Sequence, residues 1–207
     1  MIKPDKILRD LQTARWDVAG KTFGNNHATL IGLLVDWWIS LSPATHTALE
    51  SGPSNGYSRK GMRGQCDALL CNNELPVGVL EVEGSRYLYT AKKIGYFFAA
   101  RYQELESLQF GILVLYTYEP DGIGKDRNLP LTENDAETLE EVRSITEDYR
   151  DKTVVVICID KKYNRQLIGI RAEKGNGYYF GEPFKIQGFL FRNGRKLKSK
   201  TFWEKAG

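Results

Sequence analysis

GQCDALLCNNELPVGVLEVEGSRYLYTAKK, from Gly64 to Lys93, reads as two short apolar strands around a polar turn. The strands span about 65–71 and 77–84, with NNELP between them. Three carboxylates, Asp67, Glu81 and Glu83, interrupt the apolar pattern. Centring the turn on Glu74 sets Asp67 opposite Glu81 and Gln65 opposite Glu83. With a side-chain period of two, one face then carries Gln65, Asp67, Glu81 and Glu83, continued toward the turn by Leu69, Cys71, Val77 and Val79. The other face carries Cys66, Ala68, Leu70, Leu80 and Val82. A slip of one residue would drive the acids into that apolar set, so the pattern defends its register. Like charges directly opposed on a sheet are destabilising, so the acids need a neutralising partner. Two readings stand. A divalent cation accepts one or two carboxylates and leaves room for water and a phosphate oxygen. Alternatively, the face is solvated and the acids pair with Arg63, Arg86, Lys92 or Lys93.

Working outward, residues 5–16 read as a short helix and 26–42 as a longer, largely buried one. Asp36 falls on the exposed stripe of the second, with Trp37 and Trp38 packed beside it. Pro, Gly, Ser and Asn mark 43–63 as a loop, and it holds the basic cluster Arg59, Lys60 and Arg63. Ile94, Phe98, Tyr102 and Leu105 recur at helical spacing within 90–108. FGILVLYTY (110–118) and TVVVICID (153–160) read as central strands covered on both faces. Thr132 and Asp135 have capping-box spacing for a helix reaching about 150. Shorter strands follow around QLIGIR, GYYF and IQGFLFRNGRKL, with a turn at Asn193-Gly194. The tail KLKSKTFWEK interleaves lysines with aromatics. This order gives an α/β or α+β layered domain, a central mixed β-sheet flanked by helices. The chain is read as a single domain, 1–207, with a core at about 26–160 and a β-rich elaboration at about 161–207.

With 207 residues the chain can bury a full core. Its apolar content of 42% and charged content of 27% are those of a soluble globular protein. A net charge of +3 is too small to argue for nucleic acid by itself, so any basic footprint is local. Cys66, Cys71 and Cys158, an odd count in apolar strands, point to reduced structural thiols and a cytoplasmic protein. They match no zinc spacing, and His27 and His46 lie far away in sequence, which also argues against Cys66 as a nucleophile. MIKPDKILRDLQ lacks the apolar core of a signal peptide, and ATLIGLLVDWWISLS is too short to span a bilayer. GIGKD (122–126) lacks the spacing of a phosphate-binding loop.

An acid on one strand, a hairpin, Glu-x-Glu on the next strand and then a helix resembles the PD-(D/E)XK nuclease superfamily. The resemblance covers roughly residues 26–120 and, more loosely, the strand at 153–160. It implies a restriction-endonuclease-like domain. Asp67 takes the place of the first acid, with Cys66 where the motif has proline; Glu81 and Glu83 take the next two positions. Glu83 replaces the commoner lysine, as in the Glu-x-Glu variant of some restriction endonucleases. Lys92, four residues before Tyr96, is similar to the Gln-x-x-x-Tyr element of RecB-like nucleases and would bring a cation to the phosphate.

The resemblance implies a Mg²⁺-dependent DNA endonuclease, restriction-like or repair-like, with Mn²⁺ as a substitute. Its metal ligands would be Asp67, Glu81 and an upstream acid, Glu50 first and Asp36 second. Its catalytic set would be Asp67, Glu81, Glu83 and Lys92, and Arg59, Lys60, Arg63 and Lys93 would grip the DNA backbone. Cutting both strands with one site per chain calls for a homodimer. Two other functions compete: a nuclease fold that binds nucleic acid without cutting, and an unrelated α/β scaffold that docks a partner through its aromatic surface.

Overall fold

The computed structural model describes residues 6–21, 27–49, 65–84, 87–99, 106–116, 131–163 and 181–206. Two short helices, α1 (Ile7–Asp10) and α2 (Trp16–Lys21), flank a 3-10 turn at Leu11–Thr13, and α3 runs His27–Ser40. The continuous helix expected over 5–16 is broken because Ala14 adopts an extended backbone, ψ 154°. Strand β1 (Thr45–Leu49) comes next, then the hairpin β2 (Ala68–Asn72) and β3 (Leu75–Glu83). Helix α4 (Tyr87–Ala99) leads to β4 (Phe110–Leu115), and α5 (Leu131–Asp148) to β5 (Thr153–Tyr163). Strands β6 (Gly181–Arg192) and β7 (Arg195–Glu204) close the chain.

All seven strands form one mixed sheet in sequence order. Strands β3, β4 and β5 are parallel, and every other neighbouring pair is antiparallel. Helices α4 and α5 make the two crossovers and pack on each other over one face, above Val79, Leu113, Val156 and Cys158. On the opposite face α1 to α3 cover Leu70, Leu80, Val114 and Ile157. The chain is thus an α/β domain with a seven-stranded mixed sheet between two helical layers.

The hairpin keeps the expected register at its acidic end, pairing Ala68 with Leu80 and Leu69 with Val79. Near the turn a shift at Leu70/Cys71 changes the pairing, and Asn73 takes the left-handed backbone of the turn at φ 51°. Val77, expected on the acidic face, instead joins the α1–α3 core. Cys66 precedes β2, escapes its alternation and packs on the α4 side.

Three further expectations are corrected. The segment 43–63 is not all loop: Thr45–Leu49 pairs with β2. The indole N–H of Trp38 donates to the carbonyls of His46 (3.1 Å) and Cys71 (3.0 Å), clamping α3 across that pair. Leu108 does not continue the α4 helix; it is a buried residue leading into β4. Helix α5 begins at Leu131, which puts Thr132 inside its first turn instead of at its cap. Asn193 (φ 52°) and Gly194 (φ 68°) form the turn between β6 and β7 as expected, and both positive angles suit the twist of a two-residue hairpin. The expected strands at QLIGIR and GYYF lie outside the described residues.

Candidate active site

Glu81 lies on β3 two residues beyond Val79, so strand alternation turns its side chain under α4. It is 1% exposed. Lys93, on α4 next to the core residue Ile94, donates from Nζ to Glu81 Oε2 at 2.7 Å. Oxygen Oε1 is buried with no hydrogen-bond partner among the described residues. Burial pushes the Glu81 carboxyl up to about 8, outweighing the attraction of Lys93, and the negative charges of Asp67 and Glu83 push the same way.

Asp67 sits one residue before β2. Its Oδ2 accepts the backbone N–H of Val82 at 2.6 Å, which pins it against β3. Its Oδ1 lies 3.1 Å from Nε2 of His27, the first residue of α3. The hydrogen bond to Asp67 raises the His27 pKa above its ordinary value; the charges of Asp67, Glu83 and Glu81 add to the rise and partial burial opposes it. Glu83 ends β3: its Oε1 accepts the N–H of Gly84 at 2.7 Å and its Oε2 the hydroxyl of Thr90, on α4, at 3.3 Å.

The structure places Glu81, Glu83 and Lys93 at the β3–α4 junction, with Asp67 nearby from the residue before β2 instead of from a strand face. It adds His27, which sequence distance hides: only the docking of α3 against the hairpin carries it to Asp67. Lys93, expected to hold nucleic acid, is the cation beside Glu81. Lys92 precedes it on α4 by one residue, about 100° round the helix. Asp36 is exposed on α3 and lines a groove of about 470 Å³ with Arg15, Gly32 and Trp37, whereas the acid cluster meets α3 at His27. Glu50, Arg59, Lys60 and Arg63 lie outside the described residues. The three cysteines are buried and free, and burial raises the Cys66 thiol so that it stays protonated.

A second acid went unread in TVVVICID. Asp160 is 2% exposed near the end of the core run of β5, on the face that carries Val156 and Cys158. Its Oδ2 accepts from Gln187 Nε2 at 3.0 Å. Cross-strand register aligns Glu83 with Leu115 and Leu115 with Cys158, so Asp160 lies two strands over and one side-chain pair further on. That is roughly 12 Å from Glu83 between Cα atoms, outside the cluster. Its sequence signal is an acid closing an otherwise apolar central strand.

No group of three or more His, Cys, Asp or Glu side chains among the described residues is placed to hold a metal ion. Asp67 and Glu81 nevertheless supply the hard oxygen donors that Mg²⁺ prefers, and it needs only one or two carboxylates. The buried Oε1 of Glu81 is an acceptor with capacity to spare. In the structure Lys93 and His27 occupy Glu81 Oε2 and Asp67 Oδ1, oxygens that such an ion would approach. No family model, curated protein or solved structure matches the chain.

Proposed function

We propose that the protein is a metal-dependent phosphodiesterase acting on DNA, with Asp67, Glu81, Glu83 and Lys93 as its working residues. The observation that carries this reading is Glu81: a buried carboxyl group with one oxygen on a lysine and the other without a hydrogen-bond partner among the described residues, beside two more acids. Burying such a group is costly, and a fold that needed only packing there would place an apolar residue. The PD-(D/E)XK-like order of acids, hairpin and helix gives the arrangement its chemistry. That same order supports a restriction-endonuclease-like fold.

Asp67 and Glu81 would hold Mg²⁺, which supplies Lewis acidity and positive charge at the phosphate. Glu83 accepts the proton of the attacking water, and Thr90 steadies it through the hydroxyl on Oε2. Lys93 gives the developing phosphate charge a nearby ammonium once it leaves Glu81. His27 orients Asp67 through its contact with Oδ1. Lys93 takes the role expected of Lys92.

A second reading has its own observation. Asp67 and Glu83 each hold two protein partners and Glu81 holds Lys93, the pattern of a nuclease fold that binds nucleic acid without cutting it. Cleavage assays of variants separate the two. Asp67→Ala and Glu81→Ala are expected to lower Mg²⁺-dependent cleavage at least about 100-fold, while DNA affinity stays within twofold of the parent. Retained cleavage in either folded variant sinks the assignment.

A further inference from the structure

We infer that the exposed edge of the sheet, strand β7, is a second nucleic-acid contact that grips the phosphate backbone away from the acid cluster. The sheet order ends at β7, so its outer backbone groups face no strand among the described residues. Arg192, Arg195, Lys196, Lys198 and Lys200 put five cations within nine residues, with no acid among them. These five exceed the net charge of +3, so the rest of the chain is net negative by two. The positive charge is therefore concentrated here.

Arg192 ends β6, whereas Arg195, Lys196, Lys198 and Lys200 are on β7, whose local geometry spreads its lysines along both rims of the edge. Phe191 pairs with Lys196 and Leu190 with Lys198, so the shift between them leaves Leu197 as an extra, exposed residue. Phe191 belongs to the α4–α5 core and Leu190 to the opposite one. Lys196 thus lies on the α5 side, its ammonium 5.3 Å from the Phe189 ring centroid. Lys198 and Lys200 lie on the other side, about 6.7 Å apart along the strand. The phosphates of one duplex strand rise roughly 3.4 Å each along the helix axis, so two lysines about 6.7 Å apart can reach separate phosphates. Ser199 and Thr201 stand exposed on the Lys196 rim, and lysine, arginine and hydroxyl side chains are the usual phosphate contacts. Lysines on an edge strand also block edge-to-edge pairing, a role the test below separates from phosphate contact.

Cross-strand register links Glu81 through Leu113, Val156 and Phe189 to Ser199. The basic edge is level with the acids but four strands away, roughly 19 Å. With α4 and α5 covering the face between them, it is a separate contact. The inference extends the nucleic-acid reading above and does not rest on the acids cutting.

The test is fluorescence anisotropy of a short labelled DNA duplex with the full chain, in EDTA, across a salt series. If Arg195, Lys196, Lys198 and Lys200 each neutralise one phosphate, their share of affinity falls about 150-fold between 50 and 200 mM salt. The double variant Lys198→Gln, Lys200→Gln should bind more weakly and shed about 1.8 from the log–log salt slope. Its unfolding temperature should match the parent's, since both side chains lie outside the two cores. A parent-like slope and affinity in that variant would overturn the inference, as would self-association with DNA binding intact, which would mark the lysines as guards of the edge. The readout is binding in EDTA, so loss of cutting alone leaves the edge contact standing.

Discussion

Glu81 is buried beside Lys93 and two other acids, and that placement has a consequence for stability. Its folded pKa is raised to about 8 from an ordinary carboxyl value, so between those values the folded state holds a proton that the unfolded state has lost. Stability from this group is complete at acid pH and falls as pH rises toward 8. His27 acts in the same direction: its raised pKa gives stability that is present below the ordinary imidazole range and lost as pH climbs through the folded value. Urea unfolding in EDTA should therefore show the parent losing a few kcal/mol from pH 5 to pH 8. Glu81→Gln should flatten most of that slope; equal slopes would contradict the buried, proton-holding carboxyl. Glu81 and Glu83 were legible in the sequence, because a period of two places them on one face of β3, and the hairpin pattern brought Asp67 to the same end although it lies one residue before β2. Their partners were not. Choosing Lys93 over Lys92 depends on the phase of α4 against β3, and His27 reaches Asp67 only through tertiary docking.

The β2–β3 hairpin and its neighbours set the site's geometry. Gly78 lets β3 approach β4: a Cβ there would lie 2.3 Å from the Phe110 ring. Gly78→Ala should cost about 1–3 kcal/mol by overpacking, and should weaken cleavage by disturbing the strand that bears Glu81. A denaturation midpoint unchanged from the parent would show that the ring moves aside freely. Trp38 ties α3 to β1 and β2 through two carbonyls, so Trp38→Phe should cost about 1–3 kcal/mol for the donor lost. Thermal unfolding of the folded variant measures it, and a parent-like midpoint would mean the carbonyls find other donors. Strands 110–115 and 153–160 and the Asn193-Gly194 turn were readable from local apolar runs and turn chemistry. Strand β1 was hidden, since Thr45–Leu49 follows loop residues and becomes a strand only by pairing with Ala68–Asn72.

Across the whole molecule, one seven-stranded sheet separates two apolar cores, with the acids where β3 meets α4 on one side and His27 of α3 nearby. The layered α/β class followed from the sequence because helical and strand patterns alternate through its centre. The edge order did not, since cross-strand pairing is a long-range property. Hydrogen exchange should be slowest in β4, flanked by β3 and β5 and covered by both cores, and fastest among the strands in β7. Slower exchange in β7 than in β4 would mean that something covers the basic edge. The most direct test of the central claim is to incubate the protein with supercoiled plasmid in Mg²⁺ and in EDTA, with Glu81→Gln alongside. The account predicts nicked or linear DNA with Mg²⁺ alone, and intact plasmid with EDTA or with the variant. Intact plasmid in Mg²⁺ with the parent protein, or equal cutting by folded Glu81→Gln, would contradict it.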